Sequence, residues 1–73
     1  MSESPLVRFG TRVRRHRVRR GLSQEKLGFE AGVHRTFVGA VERGEVNISL
    51  VNILRLAGAL GCDPAGLVRD LRI

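Results

Sequence analysis

Apolar residues recur along the chain at intervals of three and four, and no segment alternates convincingly with period two. Helices are therefore predicted throughout and strands are not. A first helix runs from about Leu6 to Arg20, with Phe9, Val13 and Arg17 on one stripe. Ser23 suits the N-cap of a second helix, Gln24 to Ala31, because its hydroxyl can accept from a free first-turn N–H. Gly32 and Val33 make a tight turn. A third helix then opens at His34 or Arg35, reaches Arg43 and stops at Gly44. Ser49 caps a fourth helix, on which Leu50, Ile53, Leu54, Ala57 and Leu60 are spaced as a buried face. Asp63 caps a fifth, with Pro64 at its first position and Leu67, Val68 and Leu71 as its apolar contacts. Gly21, Gly32, Gly44 and Gly61 each close one of the preceding segments. The expected architecture is one all-α domain over residues 1–73, a compact bundle of five short helices.

The middle of this pattern is the most informative part. Leu27, Ala31, Val33, Val38 and Val41 are apolar where two crossed helices must bury side chains. Gly28 is small where those helices come closest, and Gly32 sits where a left-handed backbone is easiest for glycine. Together they predict a helix-turn-helix over about residues 23–43. Helices four and five, about 49–72, are expected to complete the core and a dimer interface.

Size and charge narrow the function. A single domain of 73 residues buries roughly 60% of the surface its unfolded chain exposes, and such small domains often lean on disulfides, metals or a second chain. Cys62 is the only cysteine, which excludes an internal disulfide and fits a reducing cytoplasm. His16, His34 and Cys62 lack ligand spacing, so neither metal nor other cofactor is expected, and oligomerisation remains. The formal net charge is +6, and twelve of the thirteen basic residues are arginine. Seven of them, Arg8, Arg12, Arg14, Arg15, Arg17, Arg19 and Arg20, fall in a stretch free of acids. That run points to nucleic acid or an anionic membrane, or else is a solvated helix face. Membrane association is not expected: no apolar run approaches the ~20 residues of a span, and the Arg stretch offers only Phe9, Val13 and Val18 to lipid. Met1 to Pro5 is polar and acidic, without a signal-peptide core.

The run GLSQEKLGFEAGVHRTFVGAVERGEVNISLVNILRLAGALG, Gly21 to Gly61, resembles the phage repressor and Cro helix-turn-helix family, and the likeness extends back through FGTRVRRHR, Phe9 to Arg17. Within that family the length and the phrase HRTFVGAVERGEVNIS look most like the controller proteins of restriction–modification systems. The resemblance implies a lambda-repressor-like fold, a homodimer on a palindromic operator and a transcriptional role. It also implies an ion pair, Arg17 to Glu42, tying helix one to helix three, and a phosphate contact at Gln24. Three positions depart from the family: His16 replaces an apolar residue, Gly28 the commoner Ala, and Val46 an Arg that reaches bases in some controllers.

The expected partner is double-stranded DNA, with the N-terminal residues of helix three in the major groove. Val38 and Val41 point inward, which leaves Arg35, Thr36, Gly39 and Ala40 as base-reading candidates on the opposite face. Arg35 can bond guanine O6 and N7 together, Thr36 offers a hydroxyl and a methyl, and Gly39 and Ala40 let the helix sit deep. Phosphate candidates are Gln24, at a helix N-terminus with free N–H groups, with His34, Arg43 and Asn47. His34 caps helix three, contacts phosphate, or both; Asn47 clamps the backbone or orders its turn. The other helix-one arginines are read as a diffuse positive field. Val51, Val68 and Ile73 are expected at the twofold interface. No small-molecule effector is expected. Ser23, His16, His34, Cys62 and Asp63 are catalytic residue types, but none stands in a nucleophile–base motif, so an enzyme is not expected. The alternative is an antitoxin of the same fold that binds both DNA and a toxin.

Overall fold

In a computed structural model, which describes residues 3–73, five helices follow in order: α1 (Pro5–Arg19), α2 (Gln24–Ala31), α3 (Arg35–Glu42), α4 (Leu50–Leu60) and α5 (Pro64–Val68). Met1 and Ser2, the start of the polar opening stretch, lie outside the described residues. No helix among the described residues is long and apolar enough to cross a membrane.

Local chemistry sets the helix boundaries. Ser23 Oγ accepts from the Lys26 amide at 2.9 Å, Ser49 Oγ from Asn52 at 3.1 Å, and Asp63 Oδ1 from Ala65 at 2.9 Å. Each satisfies a first-turn N–H that has no partner inside its helix. His34 does the same for α3 with its ring: Nδ1 accepts from the Thr36 amide at 3.1 Å. At the end of α2 the backbone turns left-handed at Gly32, φ +76°, and the Val33 N–H reaches back to the Gly28 carbonyl at 2.8 Å. That ending fixes the sharp change of direction between α2 and α3.

The core collects one face of every helix: Phe9 and Val13 from α1, Leu27 and Ala31 from α2, Val38 and Val41 from α3, Leu56, Ala57 and Leu60 from α4, and Leu67 from α5. Two glycines let backbones meet. A Cβ on Gly28 would stand 2.6 Å from the Val33 carbonyl oxygen and 3.2 Å from the Arg35 nitrogen. The departure at this position therefore has a steric reason that offsets its roughly 1 kcal/mol of lost helix propensity. A Cβ on Gly10 would overlap the Val41 carbonyl and come within 2.7 Å of that of Glu42, so α1 lies directly against the end of α3.

Three expectations are corrected. The buried face of α4 is Leu56, Ala57 and Leu60 with half-buried Ile53; Leu50 and Leu54 are exposed. The helix is apolar nearly all round, so spacing alone does not determine which way it faces. α5 ends at Val68 instead of continuing toward residue 72, because the backbone leaves the helical region at Arg69, ψ 131°, and then turns left-handed at Asp70, φ 63°. The arginines of α1 are not all a diffuse field. Arg12 Nη1 donates to the carbonyls of Arg69 (2.6 Å) and Leu67 (3.3 Å), Arg8 Nη1 to Asp70 (3.4 Å), and Arg20 Nη1 to Leu60 (2.7 Å). These cations close the carbonyl ends of α5 and α4, where the helix dipole favours positive charge.

Candidate nucleic-acid interface

Because Val38 and Val41 are buried, the opposite side of α3 is turned outward. Arg35 opens the helix and Thr36 follows it; both are exposed. His34, also exposed, holds Thr36 twice: Nδ1 caps the Thr36 amide and lies 2.8 Å from its hydroxyl. With Nδ1 accepting, the ring proton sits on Nε2, which makes that nitrogen a donor. Ala40 is half-buried.

Gly39 differs from expectation. It is buried, not open, because the side chains of Gln24 and Arg43 close over it: a Cβ there would meet Arg43 Nη1 at 3.1 Å and Gln24 Oε1 at 3.4 Å. Gly39 is thus the floor between two polar side chains, and its lack of a Cβ lets them lie flat across the helix.

Beneath this surface Arg17 and Glu42 form a two-bond ion pair. Arg17 Nε donates to Glu42 Oε2 at 2.6 Å and Nη2 to Oε1 at 3.0 Å. The third nitrogen, Nη1, donates to the Leu22 carbonyl at 2.8 Å, and Gln24 Nε2 donates to Glu42 Oε1 at 3.1 Å. The side chains of Arg17 and Glu42 keep only 13% and 4% of their exposure. The hydrogen bonds to Glu42 hold the Arg17 guanidinium above its ordinary value, against the opposing effect of partial burial. This knot joins α1, the start of α2 and the end of α3, so it fixes the angle at which α3 is presented. It also engages the Gln24 amide group.

Arg43 and Asn47 are exposed at the exit from α3. Arg43 lies against Glu45 through Nε (3.0 Å) and Nη2 (3.2 Å), and these bonds keep the Glu45 carboxyl below the usual carboxylate range. Val46 and Ile48 pack half-buried against the core and anchor the loop, so Val46 is turned to the interior.

Sequence reasoning misses two acids at this surface. Glu25 accepts from Arg35 Nη1 at 2.8 Å, and Glu45 holds Arg43. The signal for the first is a charge pattern across the turn: an acid in the first turn of α2 and an arginine opening α3. Phe29 also escapes a reading by spacing, yet it is 78% exposed, with the Lys26 ammonium 5.4 Å from its ring centre.

Residues 13–67 match the helix-turn-helix family, and the chain belongs to that family of DNA-binding regulators. It is similar to the control protein C.BamHI of Bacillus amyloliquefaciens, 42% identical over 69 residues that span 93% of this chain and 85% of that protein. The restriction–modification controller protein C.AhdI from Aeromonas hydrophila has a crystal structure matching this one with a TM-score of 0.83, at 56% identity, over 85% of this chain and 90% of that one. The P22 c2 repressor, in a crystal structure with a synthetic operator, matches with a TM-score of 0.80 at 29% identity, over 93% of this chain and 97% of that one. The lambda-repressor-like fold and the likeness to controller proteins thus stand on both sequence and structure.

Proposed function

We propose that this protein is a homodimeric transcriptional regulator that reads a palindromic DNA operator with α3, after the manner of a restriction–modification controller. It works in the cytoplasm and without a small-molecule effector. The observation that carries this reading is the outward face of α3, where Arg35 and Thr36 stand exposed at the helix start while the other face is locked into the core. Arg35 reads a base edge, favouring guanine, whose O6 and N7 match its fork. Thr36 and the half-buried Ala40 line the approach, with Gly39 beneath Gln24 and Arg43. Arg43 and Asn47 hold phosphate at the far end. The first-turn amides at Gln24 hold it beside Arg43, and His34 Nε2 holds it at the start of α3.

The dimer reading is supported by an exposed apolar stripe. Leu50, Val51 and Leu54 lie at helical spacing on one side of α4, and Val68 and Ile73 are exposed as well. A second copy of the chain covering this stripe would set two recognition helices about 34 Å apart, one turn of DNA. Leu50 and Leu54 thereby join Val51, Val68 and Ile73 in the proposed interface.

Selection of bound duplexes from a randomised pool tests both halves. The expected product is an inverted repeat with half-site centres about ten base pairs apart. Sedimentation at micromolar concentration is expected to give a dimer that Leu54→Asp dissociates. Recovery of no common sequence, or a monomer with and without the recovered duplex, contradicts the proposal.

A further inference from the structure

We propose that Glu25 is a specificity-determining residue: it positions Arg35 and disfavours phosphate as that arginine's partner. The inference rests on the proposed reading of Arg35 as a base reader. Glu25 lies in the first turn of α2 and Arg35 opens α3, where its backbone nitrogen comes against Gly28, about one turn along α2 from Glu25. Arg35 Nη1 donates to Glu25 Oε2 at 2.8 Å, with the two side chains 62% and 73% exposed.

The form of this pair separates it from the other arginine–carboxylate pairs among the described residues. Arg17 spends Nε and Nη2 on Glu42 and Nη1 on the Leu22 carbonyl. Arg43 spends Nε and Nη2 on Glu45. Arg35 spends Nη1 alone. A guanidinium has five N–H donors, so Arg35 is restrained while the fork needed for guanine O6 and N7 stays open.

A carboxylate in that place acts in two ways. It narrows the orientations of a long side chain that would otherwise be ordered only at the moment of binding. It also sets a negative charge beside the position a phosphate would take on the same guanidinium. Guanine presents neutral acceptors and escapes that repulsion, whereas the sequence-independent phosphate contact bears it. An acid in the first turn of a helix is stabilising through the helix dipole in any case. A role limited to that would appear in thermal stability and leave DNA preference unchanged.

The test uses the duplex recovered by selection and a scrambled duplex of equal length, titrated at several salt concentrations. The proteins are the wild type, Glu25→Gln, Arg35→Ala and the double variant, with folding checked by thermal melts. Glu25→Gln keeps the shape of the side chain and removes its charge. It is expected to tighten binding to the scrambled duplex about three- to fivefold and to steepen its salt dependence by up to about one unit. Affinity for the selected duplex does not rise in step, so the ratio of the two falls. In the Arg35→Ala background the same change leaves the ratio where it was. Arg35→Ala by itself tests the base reader, so that reading and this one fail separately. A ratio unmoved by Glu25→Gln while Arg35 is present, or one that falls as much without Arg35, overturns the proposal.

Discussion

The two sides of α3 use the same pair of chemical groups to opposite ends. Toward α1, Arg17 and Glu42 meet in a nearly buried pair whose remaining capacity is taken up by the Leu22 carbonyl and the Gln24 amide. Toward solvent, Arg35 meets Glu25 and Arg43 meets Glu45 in pairs whose side chains are more than half exposed. Coulomb attraction between an arginine and a carboxylate is similar in kind at every one of these sites; what differs is the water. Where water is excluded, an unpaired partner is costly and the pair holds the fold. Where water is present, the pair contributes little to stability and can exchange its partner for a base or a phosphate. The helix is thus held from behind by one arginine, while another, Arg35, stays free to change its partner.

The largest effect that would test this contrast is at the buried pair. Glu42→Ala leaves Arg17 and the Gln24 amide without their acceptor and is expected to cost roughly 3–5 kcal/mol, measured by chemical denaturation. For a domain of this size that approaches the whole stability. A loss of a few tenths of a kcal/mol would place the pair with the surface ones.

Next in size is the seam that brings α1 against α3. Gly10→Ala forces a methyl group onto the Val41 and Glu42 carbonyls, which belong to backbone and cannot swing aside. A cost of about 1–3 kcal/mol is expected, with a lower melting temperature as the readout. An unchanged melt would mean that the seam is looser than its geometry.

The exposed pairs should respond in the reverse way. Arg43→Ala is expected to change stability by less than about 0.5 kcal/mol. It should weaken binding to selected and scrambled DNA alike and flatten the salt dependence by about one unit for each phosphate it no longer neutralises. A large drop in melting temperature, or a weakening confined to the selected duplex, would move Arg43 out of the phosphate-holding group.

How far the sequence foretells this arrangement follows from the range of each interaction. The starts of α2, α4 and α5 are legible because Ser23, Ser49, and Asp63 with Pro64 act on amides two or three residues away. The helix-turn-helix is legible because its apolar positions and Gly32 act within twenty residues. The facing of α4 is not: Leu50, Val51, Ile53, Leu54, Leu56, Ala57 and Leu60 wrap most of the helix, with only Asn52 and Arg55 polar, and tertiary packing chooses Leu56 over Leu50 and Leu54. The structural work of Arg8, Arg12 and Arg20 is hidden because their carbonyl partners lie 39 to 62 residues along the chain. Helical spacing places Gly39 outward, and only the folded positions of Gln24 and Arg43 reveal that it is covered. Glu25 and Glu45 are hard to foresee because acids on a surface expected to meet DNA run against the net charge, although each sits beside the arginine it restrains.

Whether α3, held by Arg17, reads with Arg35 is decided by the binding of Arg35→Ala to selected and scrambled duplex under identical salt. Expected are an intact melt, a loss of about 1–3 kcal/mol per half-site on the selected duplex, and relaxed preference at one base position. Equal losses on the two duplexes would contradict a base-reading role, since Arg35 would then be one more contact to the phosphate backbone.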